Sequence, residues 1–312
     1  MRKLLPILGF FLLSSGILAA GERDIVLKTP TGDIWGSILT PQEDAKDIIV
    51  LFISGSGPTD RNGNNPQAQN NAIKFLAEEL CDAGIPSVRY DKRGIAASTT
   101  AGLRGEDMRF STSVDDARSW IDFIAKDYKR VVVAGHSEGA QIGVMATVDN
   151  PHVSAVISLA GSGRKTADLL RIQLGGQSQQ ILEICEPILQ SLENGIVVDN
   201  IPPMLFSLFR PSVQPYVISW FATDPTVEIS KLEVPVLIIQ GDKDIQIAVE
   251  DADLLAKAQP KAVKVVIAGM NHVFKECDTT DPTTQMLQTY MNPDLKNIPS
   301  LDFEVIRFIK GL

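Results

Sequence analysis

Val131-Val-Val-Ala-Gly-His-Ser-Glu-Gly-Ala140 is the stretch on which the reading of this 312-residue chain turns. The β-branched run Val131 to Val133 predicts a short buried strand, and residues 140–148 predict a helix. Between them Gly135-His-Ser-Glu-Gly139 matches the G-x-S-x-G turn that lifts a serine above the edge of a sheet. Strand and helix can close that sharply only if the residues two places either side of Ser137 are very small. The helix that follows turns its positive N-terminal end toward any anion formed at the hydroxyl. A glycine-rich strand-to-helix turn without chemistry would share the pattern, so the remaining groups have to be found elsewhere in the chain.

Working outward, strands and helices alternate. Residues 24–28 and 34–39 predict an antiparallel hairpin around Pro30-Thr-Gly-Asp33, and residues 47–53 a buried strand that runs into Ser54-Gly-Ser-Gly57. A helix is expected over 72–80, closed by Gly84, then a strand over 86–90 and a helix over 114–124 with Val114, Ala117, Ile121 and Ile124 on one face. After the central stretch come a strand at 153–159, a strand at 235–240, a helix at 249–258, a strand at 263–268 and a closing helix at 301–309. Residues 164–231 break the alternation with a helical, proline-rich pattern that reads as an inserted cap, and 274–299 reads as a long surface loop with a helical turn near Gln285. The expected fold is therefore α/β, a mostly parallel, doubly wound sheet with an N-terminal antiparallel hairpin. Its core spans 21–163 and 232–312, with the cap between. Ligands of such sheets bind at the carboxyl ends of the strands.

Composition narrows the partners. A net charge of −9 and a pI near 4.9, with no local Lys/Arg cluster, exclude nucleic acid as the expected ligand. Residues 1–20 have the basic start, apolar centre and small-residue end of a secretory signal, and their apolar run is shorter than a spanning helix needs. The mature chain is expected to be exported, periplasmic or secreted, without stable membrane insertion. Cys81, Cys185 and Cys277 are odd in number and widely spaced, which indicates neither a disulfide framework nor a zinc site; one disulfide plus a free thiol stays open.

A serine hydroxyl needs a base, and the chain has three histidines. His136 precedes Ser137 in the tight turn and faces away from the hydroxyl. His152 precedes a strand, which puts it at the wrong edge of the sheet. His272 follows the strand 263–268 and is the expected general base. A carboxylate must hold the imidazole, and Gly241-Asp-Lys-Asp244 follows the strand 235–240 at the same edge; Asp244 is the expected acid, with Asp242 as the alternative. Chain order is then Ser…Asp…His. Oxyanion donors are expected from the backbone amides of Glu138 and of the Gly55-Ser56 loop. That loop lacks the Lys-Ser/Thr of a P-loop and the full G-x-G-x-x-G of a dinucleotide site, so no cofactor is expected, and no metal. The Glu138 carboxylate could meet a cationic substrate, or simply cap and core groups. Met204-Leu-Phe-Ser-Leu-Phe209 with Tyr216, Trp220 and Phe221 could line an acyl pocket or pack the cap.

Taken together, Ile53-Ser-Gly-Ser-Gly-Pro58, Asp91-Lys-Arg-Gly94, Gly135-His-Ser-Glu-Gly139, Gly241-Asp-Lys-Asp244 and Asn271-His272 resemble the α/β-hydrolase superfamily, over nearly all of the chain. The branch that looks most similar is esterase-like, with a helical cap and a Ser-Gly-Ser-Gly-Pro-x-Asp-Arg oxyanion segment. The resemblance implies hydrolysis of carboxylic esters through an acyl-enzyme, and the apolar composition of the cap suggests small or medium esters with an apolar acyl part. Ser137, Asp244 and His272 would form the triad, and the amides of Ser56 and Glu138 the oxyanion hole. Peptide, amide or thioester cleavage would use the same groups, and a non-catalytic binding protein could keep the fold. Two positions depart from the pattern: Ser54 replaces a frequent histidine, and Ile95-Ala-Ala-Ser98 replaces x-Gly-x-Ser. Asp91 and Arg93 are expected to brace their loop.

Overall fold

A computed structural model describes residues 21–43 and 46–312. The expected signal segment, 1–20, lies outside the described residues. Eight strands form one sheet in the order β1-β2-β4-β3-β5-β6-β7-β8. They are β1 (Gly21–Thr29), β2 (Gly32–Thr40), β3 (Ile48–Ile53), β4 (Ser87–Tyr90), β5 (Arg130–His136), β6 (Val153–Leu159), β7 (Val236–Gly241) and β8 (Val263–Ile267). Only β2 runs against its neighbours, β1 and β4; from β4 to β8 every pairing is parallel. This is the mostly parallel α/β sheet with its antiparallel hairpin that the pattern predicts.

The central strands are apolar on both faces because helices cover both. Ile49, Leu51, Ile53, Val131, Val133, Val156 and Ile238 face one side, under α2 (Phe110–Ile124), α3 (Glu138–Thr147) and α9 (Val249–Ala258). Val50, Phe52, Val132, Ala134, Ile157 and Ile239 face the other, under α1 (Ala72–Asp82) and α11 (Pro299–Lys310). The period-two alternation of these buried side chains locks the register, since a slip of one residue would send each to the opposite face.

Strand order sets where a site can form. From β3 the chain steps to β4 on one side, then crosses to β5 on the other. The carboxyl ends of β3 and β5 therefore diverge into a crevice, the switch point of an open α/β sheet. Register then lines the strand ends along one rim: Ile53 pairs with Gly135, His136 with Leu159, and Gly241 with Ile267.

Between β6 and β7 the chain forms α4 (Thr166–Gln177), α5 (Gln179–Glu193), the single turn α6 (Phe206–Phe209), α7 (Gln214–Phe221) and α8 (Pro225–Ser230). Pro215 and Pro225 sit in the first turns of α7 and α8, where a missing N–H leaves no helical bond unmade. Leu174, Cys185, Leu189, Leu192, Phe209 and Phe221 form an apolar cluster separate from the two on the sheet. The insert leans on the core through α7: the Trp220 ring stacks on Phe110 at 5.3 Å, and the Phe110 amide donates to Ser219 Oγ at 2.8 Å.

Some details differ from the sequence pattern. The helix expected from Val114 starts at Phe110, whose ring is covered by Trp220 from the insert, a partner that periodicity cannot supply. Residues 274–299 contain a short helix, α10 (Pro282–Gln285), and a π-turn over Met286–Tyr290. All three cysteines are free thiols. Among the described residues no helix is long and apolar enough to cross a membrane.

Candidate active site

Ser137 occupies the tightest corner of the rim. It follows β5 directly, with φ 54° and ψ −119°, and α3 begins at the next residue. A non-glycine residue at positive φ is strained and persists only where its surroundings hold it. Here the two glycines allow the closure. A Cβ on Gly135 would lie 2.1 Å from the Gly139 carbonyl oxygen, and one on Gly139 would lie 2.3 Å from that of Ile53. The Ser137 amide is fixed by the Leu159 carbonyl oxygen at 2.9 Å, and its side chain stays half-exposed.

His272 and Asp244 meet across the rim. His272 Nδ1 lies 2.7 Å from Asp244 Oδ2. The other carboxylate oxygen accepts the amides of Gln246 and Ile247 at 2.7 and 2.9 Å, and Gln240 Nε2 donates to Oδ2 at 2.9 Å. Burial alone would push the Asp244 pKa up; the facing imidazole and the backbone donors outweigh it and hold the carboxyl below its ordinary value. Asp242, the alternative, is turned elsewhere and accepts the Gly269 amide at 2.7 Å. Asn271 shapes the imidazole's loop: its Oδ1 accepts the amides of Val273 and Lys275, and its Nδ2 donates to Thr289 Oγ1.

The imidazole loop is also clasped to the serine corner. His136 Nε2 donates to the His272 carbonyl oxygen at 2.9 Å, and the two rings are 4.7 Å apart. Burial pushes the His136 pKa down to about 3, and the neighbouring His272 adds to the effect, so this ring is neutral. Because a carbonyl only accepts, the proton of the neutral ring sits on Nε2. His152 precedes β6 and is exposed at the opposite end of the sheet. Among the described residues Ser137 Oγ makes no hydrogen bond to His272; such bonds commonly tighten only when substrate binds.

The Ser54–Pro58 loop lies against the same corner. A Cβ on Gly55 would lie 3.4 Å from Ser137 Cβ and 3.3 Å from His136 Nδ1. Among the described residues no protein acceptor takes the amide of Ser56 or of Glu138. Two backbone donors and the α3 N-terminus can therefore serve an anion here.

Glu138 points its buried carboxylate at protein groups: Oε1 accepts Tyr216 Oη at 2.6 Å, and Oε2 lies 3.4 Å from Lys92 Nζ. Arg93 pairs with Asp116, and Asp91 accepts two guanidinium nitrogens and the amide of Arg61, so both residues brace loops. A cavity of about 500 Å³ opens beside the corner, with Gly57, Pro58, Tyr90, Met108, Glu138 and Tyr216 in its wall. The apolar stretch of the cap contributes less to it than its composition suggests. Leu205 and Phe209 are buried in the cap's own cluster with Phe221, Trp220 Nε1 donates to Gln141, and Met204, Phe206 and Leu208 face outward. Among the described residues no group of three or more His, Cys, Asp or Glu is placed to hold a metal ion.

Three contacts had no sequence signal: Gln240 behind Asp244, His136 on the His272 carbonyl, and Tyr216 on Glu138. Each joins residues brought together only by the sheet order or the insert.

A half-exposed serine on a strained turn, an acid–imidazole pair on the same rim and two unpaired amides define the site of an α/β-hydrolase. More narrowly, residues 69–229, just over half of the chain, match the family described as serine aminopeptidase, S33, and the chain belongs to that family. It is 27% identical over 262 residues to a protein named esterase EstD of Thermotoga maritima, covering 81% of this chain. The match spans 60% of that relative's length. Among solved structures it resembles an esterase of Pyrococcus furiosus at 14% identity and a TM-score of 0.58, over 98% of this chain and 95% of that one. It also resembles Est1E of Butyrivibrio proteoclasticus at 16% identity and a TM-score of 0.61, over 92% and 98%. At these identities the two structures share the fold.

Proposed function

We propose that the protein hydrolyses small carboxylic esters through an acyl-enzyme, with Ser137 as nucleophile, His272 as general base and Asp244 as the acid that orients it. Asp244 Oδ2 at 2.7 Å from His272 Nδ1, on a loop tied to the serine corner, carries the reading. Asp244 keeps the Nδ1 proton in place, which leaves Nε2 free to take the proton of Ser137. As Oγ bonds to the ester carbon, negative charge gathers on the former carbonyl oxygen, and the amides of Ser56 and Glu138 receive it. Collapse returns the proton to the leaving alcohol. Water then repeats the sequence, releasing the acid and the free serine.

The cavity beside the corner supports a small-molecule substrate with an apolar part against Tyr90, Met108 and Val213. The names of the relatives support an ester, and the family's name keeps a peptide bond as the second reading. Export after loss of residues 1–20 belongs to the same proposal and rests on the leader pattern alone.

The test is an active-site-directed fluorophosphonate together with p-nitrophenyl acetate and butyrate, then aminoacyl p-nitroanilides. Ester turnover and labelling that both vanish in Ser137→Ala support the proposal. Turnover of the anilides in preference to the esters supports the peptidase reading. A wild-type protein that neither labels nor turns over any of them refutes both.

A further inference from the structure

One lysine of the site has no part in the chemistry just described, yet it holds the loop that supplies a donor. Lys92 follows β4, and its Nζ donates to the carbonyl oxygen of Gly55 while standing 3.4 Å from Glu138 Oε2. Its side chain is 14% exposed and that of Glu138 is 3% exposed, so the ion pair is largely withdrawn from water. Glu138 is held in turn by the Tyr216 hydroxyl from the cap, at 2.6 Å. A chain of contacts thus runs from the insert, through the residue after the serine, to the peptide between Gly55 and Ser56.

That peptide is trans, since no cis bond occurs among the described residues. In a trans peptide the C=O and the following N–H lie in one plane and point in opposite directions. An ammonium that grips the Gly55 oxygen therefore fixes the heading of the Ser56 N–H. Without it the glycine, which has little steric restraint, leaves the plane free to turn. The same ammonium draws electron density toward the carbonyl and makes the N–H on the far side a stronger donor.

We propose that Lys92 is a positioning residue that aims the Ser56 amide at the developing oxyanion, with Glu138 and Tyr216 holding Lys92 in place from the cap side. The proposal rests on the acyl-transfer reading above. It gives Glu138 a task beyond its backbone amide, and it couples the seating of the insert to the strength of the oxyanion site.

Lys92→Met alone would leave the Glu138 carboxylate buried without its cation, so it confounds stability with positioning. Lys92→Met combined with Glu138→Gln removes that complication, and Glu138→Gln alone is the reference. The readouts are kcat and KM for p-nitrophenyl butyrate, and Ki for an aryl trifluoromethyl ketone, whose serine adduct carries an oxyanion. The double variant is expected to melt within a few degrees of the reference. Its kcat should be lower by roughly 10- to 100-fold, its KM little changed, and its Ki raised by a similar factor. A double variant with kcat and Ki within threefold of the reference overturns the positioning role while leaving ester hydrolysis standing, and so does a loss confined to KM. A wild-type protein without esterase activity overturns both readings together.

Discussion

Asp242 and Asp244 stand two residues apart and face different partners, which makes them a paired test. Asp244→Asn keeps the shape, but its oxygen stays with the Gln246 and Ile247 amides and its NH2 donor faces His272 Nδ1, which puts the imidazole proton on Nε2, the wrong tautomer for a base. Loss of such a carboxylate lowers kcat by about 10³- to 10⁴-fold in serine hydrolases. Asp242 only accepts the Gly269 amide, so Asp242→Asn should leave kcat within about tenfold, read on the same ester. His136 offers a test in stability. Its ring stays neutral in the fold, with a pKa lowered to about 3 from the ordinary 6.5. Between those values the unfolded chain binds the extra proton, so acid favours unfolding. The penalty is absent above about pH 6.5 and grows by about 1.4 kcal/mol per pH unit below it. From pH 7 to pH 5 the wild type should lose about 2 kcal/mol more stability than His136→Gln, in urea denaturation at each pH. Parallel losses in the two proteins would remove His136 as the source.

At the scale of elements, the serine corner is a three-body contact between β3, β5 and α3. Gly139→Ala drives a methyl into the backbone of β3 rather than into a flexible side chain, so nothing nearby can yield cheaply. The expected cost is about 3 kcal/mol or more, visible as a lower urea midpoint even if Ser137 still labels. This corner was also the most legible part of the chain, because everything it needs is local: a β-branched run, two glycines at fixed spacing and a helix. The sheet was legible for a related reason, since alternation of strand and helix writes the parallel topology directly. Contacts that depend on elements far apart were not. Neither Lys92 nor Tyr216 differs, by neighbouring sequence, from an ordinary loop lysine or cap tyrosine. What distinguishes them is the crossing that sets β3 beside both β4 and β5, and the insert that folds back over α2. For the apolar residues 204–209 the sequence left two readings open, acyl pocket or cap packing, and in the structure Leu205 and Phe209 pack the cap. Hydrophobicity marks what leaves water, and it does not say whether a ligand or the cap's own helices cover it.

For the molecule as a whole, the separation of the insert's apolar cluster from the two on the sheet implies regions that open separately. Phe209 is wholly buried, yet only within the insert. Phe209→Ala should cost about 3–5 kcal/mol locally and speed hydrogen exchange across 166–221. The strands β3, β5 and β6 should keep their protection. Leu51 is equally buried, in the sheet cluster, and Leu51→Ala should instead lower protection throughout, by about 2–5 kcal/mol. Mass-resolved exchange on intact protein reads both. Uniform acceleration in Phe209→Ala would mean that insert and sheet unfold as one.

The insert leaves the sheet from the rim after Leu159 and returns through α8 to β7, which pairs with β6 whatever lies between. Extra chain at that junction hangs over the rim and need not disturb any strand pairing. The junction is thus a slot at which evolution, or a protein engineer, can exchange the roof over a fixed serine corner, provided the replacement restores a hydroxyl to meet the Glu138 carboxylate.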